Sequence, residues 1–354
     1  MSFGTLFTSK PIRLRHISLS VCSIPWDSGL FSGLKTLELH KLVKEGPSFD
    51  QFISFLHASP GLVRISLEEL ELQGNTLLDH AEIVTLQSLE TFEMENITCH
   101  VAEHLLTILR VPKCGKFHLI NDRFPSSKLF DPSMEHLFPI LRAIMASCDG
   151  TEIIFHKSGL IVVSCNGTRR MLDIKLSTGE APQDWQTAMS ERLRNLLGST
   201  IVVPSLRLLI YMNTEGFLST VIPLVGGDCP IEELTLLQQG PDANIPDKLG
   251  GVFELLSKPR EVDGATRWPL PNPKILRIEY DTWTEHEPLI NMICNRYTDR
   301  ELREACERPE KLQSLQIESG GHGDGSLYSV MCDMLGPDVV RYGSRSRATH
   351  YLED

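Results

Sequence analysis

The residues with the most suggestive chemical spacing are His100-Val-Ala-Glu103-His104, an H-x-x-E-H arrangement. On a helix it sets two imidazoles one turn apart beside a carboxylate, which is a geometry for holding zinc and activating a water. Such a metal-dependent hydrolase needs a third ligand from another segment, and no second helical stretch offers one. At about 100° per residue, His100 and His104 instead flank the apolar stripe Ile97, Val101, Leu105 and Ile108. The glycine-rich run Ser319-Gly-Gly-His-Gly-Asp-Gly-Ser326 lacks the lysine of a phosphate-binding loop and reads as a turn into a helix over Leu327 to Leu335. There is no G-x-S-x-G elbow. The expectation is a chain with no catalytic residue, no metal site and no cofactor, and not an enzyme.

Composition points the same way. The 354 residues are 41% hydrophobic, enough for a substantial core in one elongated domain or two compact ones. A formal net charge of -12 repels a phosphate backbone, so nucleic acid is not an expected partner. The 9 cysteines form no C-x-x-C pair and read as reduced, mostly buried thiols. With no apolar run long enough for a membrane helix and no secretory leader, we expect no membrane partner and a cytoplasmic or nuclear location. The sequons at Asn96 and Asn166 then carry no sugar.

What positions the side chains is a repeat. The form L-x-x-L-x-L occurs at Leu14-Arg-His-Ile17-Ser-Leu19 and returns from Leu34, Leu62, Leu89 (as Leu-Glu-Thr-Phe92-Glu-Met94) and Cys114 (as Cys-Gly-Lys-Phe117-His-Leu119). Starting points at 14, 34, 62, 89 and 114 lie within or near the spacing of about 20–29 residues of leucine-rich repeats. Looser copies start at Leu206, Ile231, Pro273 and Leu312. The last two apolar positions of each copy alternate with polar ones, so each copy predicts a short strand with one buried face. Helical patterns follow several copies. Ser48-Phe-Asp-Gln51 has the spacing of a capping box, Phe52, Ile53 and Leu56 supply a stripe, and Ser59-Pro-Gly61 ends it. A single coil buries too little to order itself, so neighbouring coils must stack.

Between the blocks, Glu152–His156, Leu160–Ser164 and Met171–Leu176 predict a β-meander, followed by a helix over Trp185–Leu197. The expected fold class is α/β, an irregular leucine-rich-repeat solenoid shaped like a horseshoe, with parallel strands on its concave face, helices on its convex face and a central β-meander. Residues 1–148 would be N-terminal repeats, 149–180 the meander insertion, 181–335 C-terminal irregular repeats and 336–354 a mobile tail.

The phrase Ala58-Ser-Pro-Gly-Leu-Val-Arg-Ile-Ser-Leu67, the phrase from Pro269 to Ile278 and the meander before a helix resemble the leucine-rich-repeat region of fungal F-box proteins, over about Ile12 to Leu335. The resemblance implies the substrate-recognition part of a cullin-type ubiquitin ligase. An F-box is not found ahead of Leu14, so it implies the ligase adaptor as a partner only through an F-box outside this chain.

In a strand of this kind the residues between the buried leucines point away from the core. The binding face is therefore expected at His16, Glu38, His40, Arg64, Glu68, Glu93, Glu95, Lys116 and His118, then Glu233, Arg277, Glu279 and Glu318, interspersed with Ser18, Thr36, Ser66, Thr91 and Gln316. Acidic residues outnumber basic ones there. Either the face takes a basic segment of a protein partner, or the glutamates only keep it soluble. Trp26, Trp185, Trp268 and Trp283 are candidate interface anchors or packers of loops, with Trp268, Trp283 and neighbouring Tyr280 flanking the ninth strand.

Overall fold

Every L-x-x-L-x-L phrase becomes one short strand. In the computed structural model of the chain, the described residues are 14–22, 24, 26, 31–42, 46–72, 83–125, 132–156, 159–177, 206–211, 233–238, 248–262, 265–270, 273–280, 286–298, 309, 311–319 and 325–344. They fall into two compact units, Met1–Cys148 with Ser158–Pro182, and Asp149–Lys157 with Gln183–Asp354.

In unit 1 the strands are β1 (His16–Ser20), β2 (Thr36–His40), β3 (Arg64–Glu68), β4 (Val84–Thr85), β5 (Thr91–Glu95), β6 (Leu109–Arg110) and β7 (Lys116–Pro125). After β8 (Gly150–His156), which belongs to unit 2, come β9 (Gly159–Asn166) and β10 (Arg169–Ser177). The main sheet runs β1-β2-β3-β5-β7-β10-β9, parallel throughout except for the β9–β10 hairpin. Two-residue strands β4 and β6 pair separately. Two strands of the meander expected at 149–180, β9 and β10, thus extend this sheet from β7.

Alternation sets the two faces of this sheet. Leu37, Leu39, Ile65, Leu67, Phe92, Met94, Phe117 and Leu119 are all buried, as are the leading Leu34, Leu62, Leu89 and Cys114. Helix α1 (Phe49–Ala58) starts with the capping box read from sequence: Gln51 N–H donates to Ser48 Oγ at 3.2 Å, and Ser48 N–H to Gln51 Oε1 at 2.9 Å. It buries Phe49, Phe52, Phe55 and Leu56. Phe55 stacks on Phe31 at 4.2 Å, and Trp26 on Phe31 at 5.4 Å. Helix α2 (Cys99–Ile108) buries Val101, Leu105 and Ile108 and packs on β7, while α3 (Phe138–Ala146) packs on β10.

Two backbone devices repeat from strand to strand. One carbonyl accepts two successive N–H groups at the start of the next strand: Arg15 from Lys35 and Thr36, Lys35 from Val63 and Arg64, Val63 from Glu90 and Thr91, Glu90 from Gly115 and Lys116. At the other end, the residue after each strand is left-handed: Val21, Lys41, Glu69 and Asn96 have φ of 48°, 55°, 46° and 51°. Their N–H groups donate to His40, Glu68, Glu95 and Ile120 of the following strand, at 2.8–3.2 Å. A non-glycine residue in this region is uncommon, so four in equivalent places show the same turn rebuilt each time.

Gly46, after β2, answers to a close approach. A Cβ there would collide with the Glu71 carbonyl oxygen.

Unit 2 aligns β8, β11 (Leu206–Tyr211), β12 (Glu233–Gln238), β15 (Ile275–Tyr280), β16 (Ser314–Ser319) and β17 (Val340–Ser344), all parallel and in that order. Strands β13 (Arg260–Val262) and β14 (Ala265–Arg267) make a small hairpin. Helices α4 (Lys248–Leu256) and α5 (Glu287–Ile293) pack together, and α6 (Gly325–Leu335) packs on β17. The sequence left 336–354 as a mobile tail, but Val340 is buried and Val340–Ser344 adds a strand beside β16. A strand of five residues needs few apolar side chains when its backbone is paired on one edge.

Helix α5 continues into a π-helical turn, Cys294–Thr298, that drives Arg296 into the core at 2% exposure. Its guanidinium donates to the carbonyls of Leu256, Pro269 and Leu270 and lies 5.3 Å from the ring centre of Trp268. Trp26 and Trp268, the two candidate anchors within the described residues, are buried at 8% and 2%, as is Tyr280. Trp185, Trp283 and the helix expected over Trp185–Leu197 lie outside the described residues. No helix among the described residues is long and apolar enough to cross a membrane.

Candidate functional site

An all-parallel sheet is ordinarily covered on both faces. In unit 1 the face opposite the leucines carries charges and hydroxyls instead, and strand pairing without slip sorts them into rows. The first row runs His16, Thr36, Arg64, Thr91, Lys116. The second runs Ser18, Glu38, Ser66, Glu93, His118, Asp173, and the third Ser20, His40, Glu68, Glu95, Ile120, Lys175. Every unit 1 residue expected on the binding face lies in these rows. Asp173, Lys175 and Ile120 were missed; the alternation of Met171-Leu-Asp-Ile-Lys-Leu176 held the signal, but its place beside β7 did not follow from spacing.

The first two rows neutralise each other. Arg64 reaches Glu93 at 2.8 Å and Glu38 at 3.6 Å, and the Lys116 ammonium meets the other oxygen of Glu93. Burial alone would raise the Glu93 carboxyl, but Lys116 and Arg64 outweigh it and hold the group below the usual carboxylate range. Asp173 is met by Arg170 at 3.1 Å and His118 at 3.7 Å. His16 Nδ1 shares a hydrogen bond of 2.9 Å with the Thr36 hydroxyl.

The third row is different. Glu68 is paired with His40 at 3.0 Å and with Lys41 at 3.8 Å. The Glu95 carboxylate and the Lys175 ammonium make no ion pair or side-chain hydrogen bond among the described residues, and half-buried Ile120 stands between them in register.

In unit 2 the equivalent face holds Thr235, Arg277, Gln316 and Arg341 in one row. Arg277 donates through Nε and Nη2 to Gln316 Oε1 at 3.0 and 2.7 Å and lies 4.0 Å from Glu318. Glu233 accepts from the Thr235 hydroxyl at 3.5 Å. Glu279, expected on the open face, is buried at 7%, in register with Leu237 on one side and Glu318 on the other.

Helix α2 does bring His100, Glu103 and His104 onto neighbouring turns. His104 Nδ1 donates to the His100 carbonyl at 2.7 Å, and its ring packs edge-on to Phe49 at 5.9 Å. Among the described residues no three His, Cys, Asp or Glu side chains gather as a metal ion requires. Residues 320–324 of the glycine-rich run lie outside the described residues.

Sequence reading also missed a contact on the helical side of unit 1. Arg110 Nη1 approaches His136 Nε2 at 2.9 Å, and burial together with the guanidinium holds the imidazole below its ordinary value. No protein-family model, curated protein or solved structure matches this chain.

Proposed function

We propose that this chain is a leucine-rich-repeat module that binds another protein through the polar face of its parallel strands. The observation that carries the reading is the unit 1 face itself: three side-chain rows held in register across five parallel strands, with the same left-handed residue following each of the first four. A repeat scaffold whose apolar ridges are buried can vary its outward rows without disturbing the core, which suits recognition of a partner. The resemblance to fungal F-box proteins extends the proposal to target recognition for a cullin-type ligase, with an F-box supplied outside this chain. In that reading the partner brings a basic residue, since Glu38 and Glu93 already have cations and Glu95 has none among the described residues.

Photo-crosslinking tests the docking face. A photoreactive residue at Ser66, in the middle row, should give protein adducts in extract that the same group at Ser54, exposed on α1, does not. Equal labelling from both positions, or none from Ser66, would remove the proposal. Co-purification of the protein with the ligase adaptor tests the ubiquitin connection separately.

A further inference from the structure

We infer that the third row of the unit 1 face, Glu95–Ile120–Lys175, docks a partner segment bearing a basic, an aliphatic and an acidic side chain in line. The inference rests on the protein-docking reading of that face and deepens it by naming the partner's chemistry.

Elimination identifies the row. Glu38, Arg64, Glu93 and Lys116 satisfy one another, and Asp173 is held by Arg170 and His118. A partner charge placed over any of these must first displace an existing neighbour. Glu95 and Lys175 have no such neighbour among the described residues, and they are of opposite sign. They stand two strands apart, about 10 Å, at roughly 4.8 Å per strand. They make no ion pair with each other.

Ile120 fills the space between, and on the far side of Lys175 the register continues to Ile161. Ile161 is buried, so the outward row reads anion, apolar, cation. A helix laid across the strands matches it, because positions i and i+7 are about 10.5 Å apart on one face with i+3 or i+4 between them. A lysine or arginine at i would meet Glu95, an aliphatic residue at i+4 would cover Ile120, and a glutamate or aspartate at i+7 would meet Lys175. Charges of both signs fix the direction of the segment as well as its register.

The test uses the full chain and three labelled alanine-based helical peptides, with Lys-Ile-Glu, Lys-Ile-Lys or Glu-Ile-Glu at i, i+4 and i+7, read by fluorescence anisotropy. The Lys-Ile-Glu peptide should bind about three- to tenfold more tightly than either control, the range expected of two partly exposed ion pairs. Glu95→Lys should transfer the preference to Glu-Ile-Glu, and Lys175→Glu to Lys-Ile-Lys, while Ile120→Ser weakens all three. Glu95 and Lys175 lie on the outward face, so unchanged unfolding midpoints should accompany these shifts. Equal binding of the three peptides, no binding, or a preference untouched by Glu95→Lys overturns the inference. Crosslinking from Ser66 on the same preparation separates the failures: adducts without peptide discrimination remove this row alone, and loss of both removes the docking face.

Discussion

Units 1 and 2 line up parallel strands with the same alternation of apolar and polar side chains, yet their most deeply buried loop carbonyls are served by different kinds of side chain. In unit 1 the work falls to small neutral groups. Ser59, fully buried, accepts from Leu34 N–H at 3.1 Å and donates to the Phe31 carbonyl at 2.7 Å, and buried Asn121 donates to the Ile97 carbonyl. In unit 2 a whole guanidinium is taken out of water to serve the carbonyls of Leu256, Pro269 and Leu270. Closely spaced strands of near-equal length bring donors and acceptors to each other with little help, whereas the longer connections of unit 2 leave several carbonyls converging, and a group with five donors reaches them all.

The sharpest way to break the comparison is Arg296→Met. The substitution keeps an unbranched apolar stem but removes the guanidinium and orphans three buried carbonyls, so we expect unit 2 to lose about 3–5 kcal/mol. Denaturant unfolding with hydrogen exchange over residues 256–270 would measure it. Phe92→Leu in the apolar core of unit 1, by contrast, should cost under about 1.5 kcal/mol because it nearly conserves volume. If the two losses are alike, the guanidinium is not what holds the loop of Pro269 and Leu270.

Next in size is an alkaline effect confined to unit 1. Burial pushes the Cys114 thiol up to about 11 from an ordinary 9.0, against weaker opposition from the Lys116 and Phe92 backbone. Because the folded value is the higher one, the protonated thiol contributes its full stabilisation below pH 9, and the contribution is lost as pH rises from 9 toward 11. Two units correspond to about 2–3 kcal/mol. The unfolding free energy of unit 1 should fall across that window and that of a Cys114→Val variant should fall less; parallel curves would contradict the burial. Slightly smaller is Ser59→Ala, which leaves the Leu34 N–H and Phe31 carbonyl without their partner and should cost about 1–3 kcal/mol by thermal unfolding.

The same contrast explains what was legible in the sequence. Strands β1, β2, β3, β5 and β7 follow from the alternation around Ile17, Leu37, Ile65, Phe92 and Phe117, and the capping box at Ser48 and Gln51 from two residues three apart. Those signals are local. The outward residues of unit 1 were legible for the same reason, because alternation alone decides which side chain faces out. The ion pairs that neutralise Glu38 and Glu93 were not, since they depend on which strand lies beside which. Arg296 was invisible because a charged residue after a short helix reads as surface until the π-helical turn redirects it. Val340–Ser344 was missed because backbone pairing, not composition, holds it.

The smallest effect concerns the left-handed residues. Val21 is β-branched, has φ 48° and is 74% exposed, so it makes little packing contact to offset its strain. Only its N–H, which donates to the His40 carbonyl at 3.2 Å, is used, and any residue supplies that. Asparagine tolerates the left-handed region, so Val21→Asn should stabilise unit 1 by about 0.5–1 kcal/mol. In unit 2 Leu270 has φ 49° but is buried at 1%, so Leu270→Asn relieves the same strain while exposing a polar group to the core, and the net sign should reverse. Opposite shifts in melting temperature would show that the regular unit tolerates strain at its surface while the irregular unit uses it to place a buried side chain; shifts of the same sign would mean that backbone conformation alone sets the outcome at both sites.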